Sequence, residues 1–184
     1  MQELLCKPWL VLCWGAPAAG KSTLAQRLAQ KLGAPRLSSD AVNHALIGDR
    51  FEPQLRPAIY QGLLAMAASL LQNGGKVVLD GTYLHRSARQ EIEQLAQQLG
   101  VVWLSVQVDC AFSIRVERNA QRPDAQRVPE SWLCSAHSRA QLGRREAHCY
   151  LDTGTTPLEV CLEKAEQALL SRLRRRHGMW LRTG

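Results

Sequence analysis

Apolar and polar positions along the chain alternate between short unbroken apolar runs and longer stretches of helical spacing. Trp9-Leu10-Val11-Leu12-Cys13-Trp14 is wholly apolar, the pattern of a strand buried on both faces of a parallel sheet. Behind it Leu24, Leu28 and Leu32 recur every four residues beside Ala25 and Ala29, which predicts a helix closed by Gly33. Pro35 to Asp40 reads as a short strand running into a helix over Ala41 to about Ile47, with Ser39 or Asp40 as its cap. Gly48 to Pro57 is a polar loop. Pro57 suits the first position of a helix that reaches about Leu71 on Leu63, Leu64, Ala67 and Leu70, and Asn73-Gly74-Gly75 ends it. Lys76 to Asp80 is the next buried strand. A loop, Gly81 to Arg86, leads to a helix from about Ser87 to Leu99 that Gly100 stops.

Val101 to Val108 is a further strand, and Asp109 is placed to cap the helix that carries Arg115, Arg118 and Arg122. Residues 121–127 break into a loop and Ser131 begins another helix. Ala147 to Asp152 reads as the last strand. Thr156-Pro157-Leu158-Glu159 has the form of a capping box with Pro157 at the first helical position. The closing helix then runs to about Arg176, with 177–184 expected to be loose. Five strands alternating with helices predict a three-layer α/β fold around a parallel sheet.

The chemistry sits between the first strand and the first long helix. Gly15-Ala16-Pro17-Ala18-Ala19-Gly20-Lys21-Ser22, followed by Thr23, fits the phosphate-loop pattern G-x-x-x-x-G-K-[ST]. Strand, glycine loop and helix in that order aim backbone N–H groups and a helix N-terminus at a phosphate. Lys21 is then expected to reach the terminal phosphates of a nucleotide, and the Ser22 hydroxyl to ligate Mg2+. Asp80 ends an apolar strand before Gly81, so it is either a turn former or a carboxylate that holds Mg2+ through water. Asp40 is either a helix cap or an acid beyond the end of a strand, where open α/β sheets place their ligands. Arg86 and Arg89 open a helix, where the dipole disfavours cations unless an anion lies nearby, which makes them either phosphate-site candidates or solvated surface residues. Arg118 and Arg122 lie on one helix face, and with the arginine-bearing loop after them they suit a lid over a transferring phosphoryl group.

A length of 184 residues, 46% hydrophobic and 21% charged, fits one globular domain. We place its core at about 9–170, a lid at about 115–135 and a basic tail at 172–184. The net charge of +7 suits either a polyanion partner or a site built for a nucleotide. Arg172, Arg174, Arg175 and Arg176 gather at the end of the closing helix, where cations complement the dipole. The six cysteines show no C-x-x-C or histidine-paired spacing, so reduced thiols in a cytoplasmic setting are expected. Lys7, the apolar run and Ala16-Pro17-Ala18 imitate a signal peptide, but cleavage there would destroy the phosphate loop. The apolar stretch from Ala58 to Leu71 is too short and too interrupted to span a membrane.

With the phosphate loop, Ser38-Ser39-Asp40, Val77-Val78-Leu79-Asp80-Gly81-Thr82 and the Arg118/Arg122 helix in this order, the chain resembles the P-loop kinase-like AAA family ATPase proteins. These are relatives of zeta-toxin, gluconate-kinase and polynucleotide-kinase-type enzymes. The resemblance covers roughly 9–170 and departs from the commonest pattern at Ala18-Ala19, where Gly-Ser is usual. It implies an adenylate-kinase-like core with a helical lid, ATP and Mg2+ as cofactors, and no membrane. It implies that Asp40 positions or deprotonates an acceptor hydroxyl, and that Asp80 serves Mg2+ or substrate. By the same comparison Arg118 and Arg122 approach the adenine and the transferred phosphate, Arg127 lies in the lid loop, and residues 153–156 lie near the adenine.

The expected reaction is transfer of the γ-phosphoryl group of ATP to a hydroxyl of a small molecule. Lys21, Asp40, Arg118 and Arg122 are the catalytic candidates, and Arg86 a substrate contact. A polynucleotide 5′-hydroxyl, a nucleotide sugar, and a non-catalytic ATP-binding switch are the alternatives. Nucleic acid is not favoured, because no run of aromatics interleaves with the basic residues. Residues that would read the acceptor lie at Arg50, Glu52, Arg56, Tyr60 and Gln61.

Overall fold

In the computed structural model, which describes residues 2–48, 50 and 52–177, the apolar runs become one five-stranded, all-parallel sheet of order β2-β3-β1-β4-β5. Its strands are β1 (Trp9–Trp14), β2 (Arg36–Ser38), β3 (Val77–Asp80), β4 (Val102–Asp109) and β5 (Cys149–Asp152). The helices are α1 (Gln2–Leu5), α2 (Lys21–Leu32), α3 (Ser39–Ile47), α4 (Arg56–Gln72), α5 (Arg86–Gln98), α6 (Phe112–Ala120), α7 (Glu130–Gly143) and α8 (Leu158–Arg176).

Side-chain alternation along the central strand divides the core in two. Trp9, Val11 and Cys13 of β1 join Leu24 and Leu28 of α2 and Leu169 and Leu173 of α8 in one cluster. Leu10, Leu12 and Trp14 join Ile59 and Leu63 of α4 and Ile92 of α5 in the other. A strand covered by helices on both faces has no polar side to show, which is why its sequence is an unbroken apolar run. The predicted α/β architecture is therefore the observed one.

Several predicted caps are not. Ser38, neither Ser39 nor Asp40, caps α3: its hydroxyl accepts the Ala41 N–H at 3.4 Å. Asp109 caps nothing, since its Oδ1 turns back to accept the Cys110 N–H at 2.9 Å and α6 starts only at Phe112. Pro157 is the N-cap of α8 rather than its first residue, and no side chain closes a capping box there. Proline supplies the fixed φ that a helix entry needs without one. Arg56, not Pro57, opens α4. Cys110 lies in the loop after β4, and all six cysteines are free thiols. Of the tail expected to be loose, 178–184 lie outside the described residues. No helix among the described residues is long and apolar enough to cross a membrane.

Candidate active site

The parallel register puts Ser38, Asp80 and Cys13 at one level, at the carboxyl ends of β2, β3 and β1. The phosphate loop springs from β1 at this level. Gly15 has φ 143°, and a Cβ there would lie 2.1 Å from the Val108 carbonyl oxygen, so no other residue fits. Gly20, at φ 84°, is the left-handed N-cap of α2, and no side chain caps that helix. Its first-turn N–H groups are thereby left to an anion. Ala18 also adopts a left-handed conformation, at φ 61°, which L-residues other than glycine visit at a cost of about 1–2 kcal/mol.

Lys21 is 6% exposed, and its Nζ donates to the Ala16 carbonyl at 2.8 Å. Burial lowers its proton affinity, while Asp40 and Asp80 act to raise it. Asp80 is 1% exposed. Burial pushes its carboxyl upward, and Lys21, Arg36 and the Ser22 hydroxyl pull it back. The Ser22 hydroxyl reaches Asp80 Oδ1 at 3.4 Å. This donor set, a hydroxyl beside a carboxylate at a phosphate loop, suits a hard cation such as Mg2+. The described residues contain no group of three or more His, Cys, Asp or Glu able to hold a metal by itself, so phosphate and water oxygens would have to complete the shell.

A cleft of about 480 Å³ opens over this loop, with Lys21, Ser22, Asp40, Arg56, Thr82 and Arg122 among the residues on its walls. Asp40 is solvent-facing, its side chain 63% exposed, and Arg56 Nη1 lies 3.0 Å from its Oδ1. With Ser38 serving as cap, the Asp40 carboxylate is free for the cleft. Thr82 shares a 2.8 Å hydrogen bond with the Tyr60 hydroxyl, and that hydroxyl also accepts the Tyr83 N–H at 3.1 Å.

Arg122 and Arg127 reach the cleft from the segment between α6 and α7; Arg122 does not share a helix face with Arg118 as expected, because α6 ends at Ala120. That segment is held by Asn119, buried in α6, whose side-chain amide exchanges both hydrogen bonds with the backbone of Val128, each at 3.0 Å. Arg118 meets the 153–156 segment that was expected beside the adenine. It does not line the cleft; its guanidinium is bound to Thr153 in the loop after β5.

Arg86 is a correction. It lies outside the cleft, its side chain 70% exposed and 3.5 Å from Glu146. Arg89 is buried, 2.6 Å from the same carboxylate and stacked on Trp14. The anion that these cations at the start of α5 require is thus Glu146. Asp80, expected as a possible substrate contact, is shut behind Ser22 and Arg36 and does not line the cleft. Sequence reasoning missed Arg36 and Asn119. A charge alternating with Leu37 in a short strand was the signal for Arg36, because a cation placed in sheet-forming sequence needs a partner.

The family model described as an AAA domain matches residues 10–148. A shikimate kinase of Rhodopseudomonas palustris is 32% identical over 119 residues, covering 61% of this chain and 57% of that protein. The chain thus spans somewhat over half the length of this curated relative. An APS kinase of Mycobacterium tuberculosis, solved with AMPPNP and APS, superposes with a TM-score of 0.67 at 16% identity, over 89% of this chain and 98% of that one. A gluconokinase of Sinorhizobium meliloti superposes with a TM-score of 0.62 at 20% identity, over 96% and 98%. At such identities the two structures speak for the fold, which is that of the P-loop kinases.

Proposed function

We propose, from the premise that this chain belongs to the AAA domain family, that it transfers the γ-phosphoryl group of ATP to a hydroxyl of a small molecule. The observation that carries this reading is Asp40. A solvent-facing carboxylate, tethered by Arg56 at 3.0 Å, lines the same cleft as the phosphate-loop Lys21. A module that only senses nucleotide needs no such acid there.

In this reading the uncapped start of α2 and the loop amides hold the β- and γ-phosphates, and Lys21 exchanges its Ala16 carbonyl for a phosphate oxygen. Ser22, with Asp80 behind it, holds Mg2+, which when bound neutralises charge on the phosphates. Asp40 accepts the proton of the attacking hydroxyl, and Arg122 faces the charge that develops on the phosphoryl group. Arg50 and Arg56 also line the cleft, so cations exceed the single carboxylate of Asp40 around the acceptor. That excess favours an acceptor with an acidic group of its own. The likeness to a shikimate kinase supports a small molecule over a polynucleotide.

The test is thermal unfolding with Mg2+ and ATP, ADP or GTP, followed by phosphate-transfer assays on hydroxy acids, sugars and a 5′-hydroxyl oligonucleotide. A nucleotide at 100 times its dissociation constant is expected to add about 2.7 kcal/mol, and transfer to a hydroxy acid or sugar acid to follow. Absence of stabilisation by any nucleotide would overturn the reading. Stabilisation without transfer to any acceptor would leave a nucleotide-dependent switch in its place.

A further inference from the structure

The geometry points to Arg36 as a resident cation that keeps the metal position closed until a nucleotide arrives. This rests on the reading of Ser22 and Asp80 as the metal-side residues. Both oxygens of the Asp80 carboxylate are already taken. Oδ1 accepts from the Ser22 hydroxyl at 3.4 Å, and Oδ2 from Arg36 Nη1 at 3.0 Å. The same Nη1 lies 3.4 Å from the backbone carbonyl oxygen of Ser22, so one guanidinium nitrogen touches both residues proposed to serve the metal.

Sheet register explains how Arg36 comes to be there. It pairs with Val78, and Ser38, two residues on, pairs with Asp80, so Arg36 and Ser38 share one face of β2. Because β2 is the outermost strand on its side of the sheet, the guanidinium keeps a route to water, and its side chain remains 27% exposed. Asp80, at 1%, has none. A carboxylate so buried requires positive charge nearby; Lys21 supplies part of it from a distance, and Arg36 is the cation in direct contact.

A divalent ion arriving alone would meet the guanidinium's charge at close range and find only one hydroxyl and one shared carboxylate. Guanidinium is also a cation that cannot be deprotonated out of the way. Nucleotide phosphates change the balance, since they bring both oxygens and negative charge. The metal then enters as a metal–nucleotide complex, and Arg36 gives up Asp80 or turns toward solvent.

Mn2+ is a suitable probe because the free ion is read directly by its paramagnetic resonance signal. Nucleotide-free wild-type protein is expected to show no saturable Mn2+ site through the low millimolar range. Arg36→Gln is expected to gain one, binding at least about tenfold more tightly. Arg36→Lys, which keeps the charge, is expected to behave as wild type, and adding Asp80→Asn to Arg36→Gln to abolish the gain. A saturable Mn2+ site in the nucleotide-free wild type overturns the proposal, and that measurement stands even if the variants do not fold. A folded Arg36→Gln with no gain overturns it as well. Mn2+ binding together with AMPPNP separates the two readings. A free-protein site alongside intact Mn2+–AMPPNP binding sinks the role of Arg36 alone. Failure of wild type to bind Mn2+–AMPPNP sinks the nucleotide reading and this proposal with it.

Discussion

Arg118 grips Thr153 at two points, Nη1 donating to its Oγ1 at 3.0 Å and Nη2 to its carbonyl oxygen at 3.1 Å. The Thr153 hydroxyl in turn donates to the Ala19 carbonyl of the phosphate loop at 2.8 Å. Helix α6, the loop after β5 and the phosphate loop are therefore joined through one hydroxyl. Thr153→Val keeps the shape and removes that hydroxyl, leaving a guanidinium and a loop carbonyl without it. A hydrogen bond to a charged group is worth about 1.5–3 kcal/mol, so nucleotide affinity by calorimetry is expected to fall roughly tenfold or more. Unchanged affinity would show that the phosphate loop holds its shape without this brace.

Asp40 and Ser38 separate cleanly because the cap is now assigned. Ser38→Ala removes the side chain that accepts the Ala41 N–H and is expected to cost about 1 kcal/mol of stability. Asp40→Asn removes no cap. It weakens one contact to Arg56, which keeps a 3.3 Å bond to the Ser39 hydroxyl. Denaturation midpoints should therefore fall for Ser38→Ala and barely move for Asp40→Asn, while phosphoryl transfer is lost only in the latter. An active Asp40→Asn enzyme would remove Asp40 from the chemistry.

Gly15 tests the phosphate loop as a folding element. Its φ of 143° and the Val108 carbonyl 2.1 Å from a would-be Cβ leave a methyl nowhere to go, because the obstruction is backbone. Gly15→Ala is expected to lower stability by about 3 kcal/mol or more, at the upper end for overpacking. Chemical denaturation measures it. A stable Gly15→Ala protein would mean that β4 can recede from the loop.

Much of this could be read from the chain before its structure, and what could not has a physical reason. Trp9–Trp14 announced its place because a centre strand covered on both faces has no polar side. Lys21 and Ser22 were legible because the phosphate-loop spacing fixes backbone geometry locally. Arg86 was misplaced because a guanidinium reaches far, and its partner is chosen by the tertiary fold. Glu146, the partner it found, is distant in sequence, as is Thr153, which Arg118 grips. The charge beside Leu37 tells that Arg36 needs a partner, but that the partner is Asp80 depends on strand register across β2 and β3. Caps erred for a milder reason: Ser38-Ser39-Asp40 offers consecutive capping side chains, and the one used is decided by where β2 stops.

His148 gives the acid side of the stability curve a specific cause. Its Nδ1 accepts the Ser105 N–H at 3.0 Å, which the protonated ring cannot do. Burial chiefly, with Arg172 adding to it, depresses its pKa from 6.5 to about 4. The unfolded chain therefore takes up a proton that the folded chain refuses as pH falls from 6.5 to about 4. This contribution is fully present above 6.5, is lost across that window and is level below it; because only the Nδ1 side of the ring is desolvated while the residue as a whole stays open to water, the change is modest. His148→Gln, which cannot titrate, is expected to flatten stability against pH there. Parallel curves for the two proteins would assign the acid sensitivity to other groups.

Arg122 and Lys21 share a cleft but not a task, and kinetics should divide them. Arg122 follows α6 directly: its N–H donates to the Asn119 carbonyl at 3.2 Å, and its own carbonyl accepts from Arg127 Nε at 2.9 Å. The backbone is thus fastened on both sides while the guanidinium reaches the cleft. It is near enough to Lys21 to disfavour that lysine's proton, a repulsion that a phosphoryl group between them would turn into shared attraction. An arginine facing a transferring phosphoryl group is worth about 10³–10⁵ in rate. Arg122→Ala is accordingly expected to lower kcat by at least about 10³ with little change in ATP affinity. Lys21→Ala, which also loses the ground-state contact to the phosphates, should weaken both. Arg175, whose Nη2 donates along α8 to the Ser171 hydroxyl, serves as the control, and Arg175→Ala should turn over as wild type does. Steady-state kinetics with nucleotide binding measured separately decides the matter: an Arg122→Ala enzyme that lost ATP binding and kept its kcat would make Arg122 a nucleotide anchor rather than a group acting on the transition state.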